Sequence, residues 1–228
     1  MDVLRGASRQ ELDAAAFRAL AAAYRQVLLD VGTGDGAYPY RYAREHPDTL
    51  CIGLDANRDG MWDYAARAAR KPARGGLDNV LYVVAAIERP PPELDGVAHR
   101  LTVHFPWGSL LRGLVLPEPR ILAHLRRLAA PGCHLEILFN YTALTDPAAA
   151  ASQGVPVTDR DRVDRNLRPA YAAAGLHVTE VSLVGAETPA ATRWGKRLTL
   201  GAGRDVLLLR GTVRHPWPAA PGRPLRAG

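Results

Sequence analysis

Short apolar runs separated by segments of helical period organise this chain. Val27-Leu28-Leu29 is an uninterrupted apolar stretch leading into Asp30 and Val31, too short for a helix, and it predicts a buried strand over 26–31. Leu50-Cys51-Ile52-Gly53-Leu54 repeats the pattern and closes on Asp55. Further runs predict strands over 79–85, 101–105 and 133–139, and near 176–184 and 205–213. Between them lie segments that predict helices over 37–45, over 58–70 after an Asn57 cap, over 119–129 and over 159–174, the last ended by Gly175. Lys71-Pro72-Ala73-Arg74-Gly75-Gly76 breaks the second of these. Ahead of the first strand, Ser8-Arg9-Gln10-Glu11 has the form of a capping box for an amphipathic helix ending near Ala23. Strands alternating with helices imply an α/β fold with a mostly parallel sheet.

At 228 residues and 47% hydrophobic, the chain buries a full core as one unit. We expect one domain over residues 1–214, with 1–24 as an N-terminal extension packed on it. The Pro-, Gly- and Ala-rich residues 215–228 are expected to form a disordered tail. No apolar run reaches the length of a membrane span and no signal segment is visible, so a cytoplasmic location is expected. Cys51 and Cys133 fall within core strands at no metal-like spacing, the seven histidines form no ligand pair, and no metal site is expected.

Charge narrows the partner. A net charge of +6 comes from 29 basic residues of which only Lys71 and Lys196 are lysines. Arginine contacts phosphate bidentately and stacks on bases, so a nucleic acid enters as candidate substrate.

Asp30-Val31-Gly32-Thr33-Gly34-Asp35-Gly36 opens a glycine-rich turn after the first core strand, and Asp55 closes the next one. Glycines let the backbone approach a ligand, and an acid one βαβ unit onward can accept from both hydroxyls of a ribose. The spacing is not that of a dinucleotide fingerprint, and carboxylates at 30 and 35 would repel a pyrophosphate but suit an ammonium and a sulfonium. This turn resembles the first motif of class I S-adenosylmethionine-dependent methyltransferases. That class implies a Rossmann-like, seven-stranded sheet with helices on both faces and the final strand pair as an antiparallel edge hairpin. It also places the cofactor's adenine near Ala86-Ile87-Glu88, where backbone amides can read ring nitrogens and Glu88 can accept from the exocyclic amine.

Beyond the fourth strand, Phe105-Pro106-Trp107-Gly108-Ser109-Leu110-Leu111-Arg112-Gly113 lacks the Asn or Asp with which enzymes of this class hold an exocyclic amine. A ring nitrogen, whose lone pair already points outward, fits better. Trp107 in a glycine-containing turn offers a stacking face for a flipped base. Thr192-Arg193-Trp194-Gly195-Lys196-Arg197-Leu198 sets a second tryptophan among basic residues, and the two indoles can sandwich one base.

Together with Lys71-Pro72-Ala73-Arg74-Gly75-Gly76-Leu77, these motifs resemble, in order over residues 1 to about 213, the aminoglycoside-resistance 16S rRNA adenine-N1 methyltransferases of the Kam and Npm group. The resemblance implies S-adenosyl-L-methionine-dependent methylation of the decoding-site adenine conventionally numbered 1408, in the assembled 30S subunit. By position, it puts cofactor contacts on Asp30, Gly32, Thr33, Gly34, Asp55, Ala56, Ile87, Glu88, Pro106, Trp107, Ser109, Thr192, Arg193 and Trp194. Trp107 and Trp194, with Pro106, would hold the flipped adenine. Arg67, Arg70, Lys71, Arg74 and Arg112 would meet rRNA, with Lys196, Arg197 and Arg204 as a second surface. The segment 142–158 and Gly201-Ala202-Gly203 depart from the family pattern. A monomer is expected. The alternatives are a tRNA guanine-N7 or other methyltransferase and, in a different class, a non-catalytic ribosome-binding protein.

Overall fold

A computed structural model describes residues 1–6, 8–185 and 205–214. Its centre is five parallel strands, β3 (Gln26–Val31), β4 (Thr49–Asp55), β5 (Val80–Val84), β6 (Ala98–His104) and β7 (Ala129–Asn140). They lie in the order β5-β4-β3-β6-β7. β9 (Val206–Val213) and β8 (Leu176–Val184) continue the β7 side as the antiparallel pair expected of them. On the other side β1 (Asp2–Arg5) joins β5 antiparallel and pairs with β2 (Ser8–Glu11).

Among the described residues the sheet therefore has nine strands, not seven. Ser8–Glu11 is the outer strand of a hairpin, not a capping box. Val3 and Leu4 are buried against Val83 and Tyr82, which draws the segment into the sheet, while the all-polar outer strand carries no period that distinguishes it from a helix start. The helix begins later, as α1 (Ala14–Ala22), with Asp13 accepting from the Ala15 and Ala16 N–H groups at 2.8 Å.

Strand alternation sends Leu29, Val31, Ile52 and Leu54 to one face, packed with α4 (Gly108–Val115) and α5 (Pro119–Leu128). Leu28 and Cys51 go to the other face, against Ala43 of α2 (Ala37–Glu45), while Tyr82 and Leu4 meet Met61 and Ala65 of α3 (Arg58–Ala68). α2 and α3 start where the spacing predicts them. The surprises lie at and after the acceptor motif: residues 108–115, where no element is predicted, form the helix α4, and α6 (Tyr141–Thr145) and α7 (Pro147–Ser152) fill part of 142–158. The predicted helix over 159–174 is α8 (Arg160–Arg162), a π turn over Val163–Leu167 and α9 (Arg168–Ala173). Strand order reverses between β3 and β6, so the carboxyl ends of β3, β4, β5 and β6 frame the crevice where open α/β sheets bind ligands.

Candidate active site

That crevice is a cavity of about 530 Å³, walled by Gly32, Gly34 and Asp35 after β3, by Asp55, Ala56 and Asn57 after β4, by Ala85 to Glu88 after β5, and by Phe105 to Trp107 with Ser109 after β6. Its volume is that of a small-molecule site.

Gly34 has φ +63° and open space where a Cβ would stand, so the backbone itself forms the cavity wall there. The Asp55 carboxylate ties two loops together: one oxygen accepts from the Gly34 N–H and the other from the Asn57 N–H, both at 2.8 Å. Each oxygen keeps a lone pair. Asn57 in turn caps α3 by accepting from the Gly60 N–H. Asp35, one of the two carboxylates whose charge suits a sulfonium, lines the wall; Asn57, legible only as a helix cap, and Gly60 join it through the loop geometry.

Asp30 and Thr33, expected as cofactor contacts, do not line the cavity. Alternation along β3 turns Val31 to the cavity and Asp30 to the α2 face, where it is buried and accepts from the Thr102 hydroxyl at 2.8 Å. Burial pushes its carboxyl above the usual range, opposed by the nearby His104 and the Thr102 bond. Thr33 is buried against Gly53, whose Cβ, were it present, would meet Thr33 Cγ2 at 2.9 Å.

Phe105 is the one described non-glycine residue at positive φ, +51°. Its N–H donates to the Leu138 carbonyl at 2.8 Å, and the strained turn lifts Pro106 and Trp107 over the crevice. Trp107 is 62% exposed, unlike a core tryptophan. It also borders a second, smaller cavity, lined on its far side by Asn140, Leu144 and Gln153. Thr192, Arg193, Trp194, Lys196, Arg197 and Arg204 lie outside the described residues.

Arg67, Arg70, Lys71 and Arg74 are exposed together at the end of α3 and in the turn after it. None of the four is ion-paired to a described carboxylate, and Arg67 lies 5.1 Å over the Tyr40 ring. The cluster is set off from Asp55 by the length of α3, about 16 Å for a helix of this size. Arg112 is exposed on α4, apart from them in the sequence. Among the described residues no group of His, Cys, Asp and Glu could hold a metal, and no helix is long and apolar enough to cross a membrane.

Comparison with known proteins places this geometry. Residues 2–213 match the family model described as NpmA: 16S rRNA (adenine(1408)-N(1))-methyltransferase. A 16S rRNA (adenine(1408)-N(1))-methyltransferase of Streptoalloteichus hindustanus is 41% identical over 206 residues, 89% of this chain and 94% of the relative. A single-site mutant of such an enzyme from Catenulisporales acidiphilia, solved with cosubstrate SAM, superposes with a TM-score of 0.86 at 37% identity, covering 95% of this chain and 98% of that one. The aminoglycoside resistance methyltransferase NpmB1 gives 0.79 at 36% identity, with coverages of 93% and 100%. The chain belongs to the NpmA family of 16S rRNA (adenine(1408)-N(1))-methyltransferases.

Proposed function

We propose that this enzyme methylates its target adenine at N1 in the assembled 30S subunit, acting as a cytoplasmic monomer and conferring aminoglycoside resistance. Residues 1–214 form the catalytic domain in this reading, with the N-terminal hairpin and α1 as an extension packed on it.

The described walls suit S-adenosylmethionine. The open space beside Gly34 admits a close backbone contact, the free lone pairs of Asp55 can accept from ribose hydroxyls, and Glu88 with its backbone N–H stands where an adenine edge needs an acceptor and a donor. Gly32, Ala56, Ile87 and Ser109 complete the contacts. Asp30 and Thr33 hold the loop from behind. When bound, the cofactor supplies an electrophilic methyl group on sulfur.

Trp107 stacks on the flipped adenine, with Trp194 closing the other face and Thr192 and Arg193 among the cofactor contacts. The Pro106 carbonyl and the indole faces ease the positive charge that develops on the ring as N1 attacks in line. N1 carries no proton, so no general base is required. Arg67, Arg70, Lys71, Arg74 and Arg112, with Lys196, Arg197 and Arg204, grip phosphates. The observation that carries this reading is the exposed Trp107 on the rim of a cofactor-sized cavity.

A split between two variants tests it. Trp107→Ala should lower methyl transfer by roughly 5- to 150-fold, the worth of one stacked base, while calorimetry shows S-adenosylmethionine affinity within about threefold of the parent. Asp55→Ala should weaken cofactor binding first. Equal losses of transfer and cofactor affinity in Trp107→Ala would remove the stacking role.

A further inference from the structure

The segment 85–90 reaches the cavity from one side only, and its other side is gripped. Three side chains on one face of α5, at positions 120, 124 and 127, each donate to a different carbonyl of this segment. Arg120 reaches the Glu88 carbonyl at 3.0 Å, His124 Nδ1 the Ile87 carbonyl at 2.7 Å, and Arg127 the Pro90 carbonyl at 2.8 Å. The spacing i, i+4, i+7 lays them in one row along the helix. The opposite face of α5 is anchored in the core by Ile121, Leu122, Leu125 and Leu128, all at most 2% exposed. The grip is therefore mounted on a rigid element. Arg127 is itself fixed, by the Asp95 carboxylate at 2.8 Å and through its own carbonyl, which accepts from the Gly96 N–H.

The consequence follows from peptide geometry. No peptide bond among the described residues is cis, and in a trans peptide the C=O of one residue and the N–H of the next point in opposite directions. Fixing the Ile87 carbonyl on His124 therefore turns the Glu88 N–H the other way. That N–H has no hydrogen-bond partner among the described residues, and Glu88 lines the cavity. None of the three α5 side chains lines it.

We infer that His124, flanked by Arg120 and Arg127, is a positioning residue for the cofactor's adenine: by holding the Ile87–Glu88 peptide it presents the Glu88 N–H to a ring nitrogen. This rests on the reading that residues 86–88 hold the adenine. The donor to Ile87 must be Nδ1–H, which fixes the neutral tautomer with its proton there.

The test is calorimetric binding of S-adenosylhomocysteine alongside transfer kinetics on 30S subunits. His124→Phe removes the donor and should raise Kd and the KM for S-adenosylmethionine by about tenfold, the weight of one well-placed hydrogen bond, with kcat at saturating cofactor within about twofold. His124→Asn places an amide nitrogen where Nδ1 stood and should restore most of the affinity. Arg120→Ala, at an exposed position, should give a smaller loss in the same direction. Glu88→Ala serves as the reference. If it weakens S-adenosylhomocysteine while His124→Phe does not, or if His124→Asn fails to recover the His124→Phe loss at equal thermal stability, the positioning role is wrong. If neither Glu88→Ala nor His124→Phe changes Kd, the placement of the adenine itself is wrong.

Discussion

Glu136 sits on β7 between His104, whose Nε2 is 3.1 Å away, and Arg210, whose Nε is 2.9 Å away. Burial works against its charge, but these two partners outweigh it and hold the carboxyl at about 2, below its ordinary 4.5. A depressed carboxyl stabilises the fold fully above its unfolded pKa and loses that contribution as pH falls through the folded value. The window here runs from about pH 4.5 down to about 2. Glu136→Gln should cost on the order of 2 kcal/mol near neutrality, and its urea midpoint should fall less between pH 6 and pH 3 than the parent's. Individual acids differ in how legible they are. Asp55 announces itself because an acid ending a strand at the right interval has one place to go. Asp30 looks equivalent in the sequence, yet strand alternation buries it behind the wall. Phe105 gives no sign at all, because its positive φ is imposed by the turn and not by its residue type.

Elements read from apolar period are the most legible, since α2, β3 and β4 each bury a continuous stripe that the sequence displays. The N-terminal hairpin escapes because its outer strand is polar throughout and its inner strand contributes only two buried side chains. The short helices α6 and α7 escape for want of length; fewer than two turns leave little period to detect. The basic cluster at the end of α3 is visible as a charge run, and the structure adds that it forms one exposed patch with no ion pair to a described carboxylate. Because such cations act on phosphates, Arg70→Ala with Lys71→Ala should weaken binding to 30S subunits. The same pair should flatten the slope of log K against log salt by about 0.7 to 0.9 for each phosphate no longer neutralised. An unchanged slope in filter binding would assign those cations to solvent.

For the whole molecule, the cavity formed by four loops links cofactor occupancy to global stability. S-adenosylmethionine at about 100 times its Kd should stabilise the fold by about 2.7 kcal/mol, which for a domain of this size is roughly 5–10 °C in Tm. In Asp55→Ala the same concentration should give a markedly smaller shift. Fold class and cofactor are legible at this scale because one glycine turn and one acid define the crevice. The acceptor side is less so, since it is assembled by a strained turn, a short helix and the end of β7, which only meet in three dimensions. The most direct test of the central claim is methyl transfer from labelled S-adenosylmethionine to 30S subunits, naked 16S rRNA and bulk tRNA in parallel, with primer extension to map the product. Label on 30S subunits with a stop at the decoding-site adenine is the expected result; label on tRNA alone, or on no RNA, would contradict it.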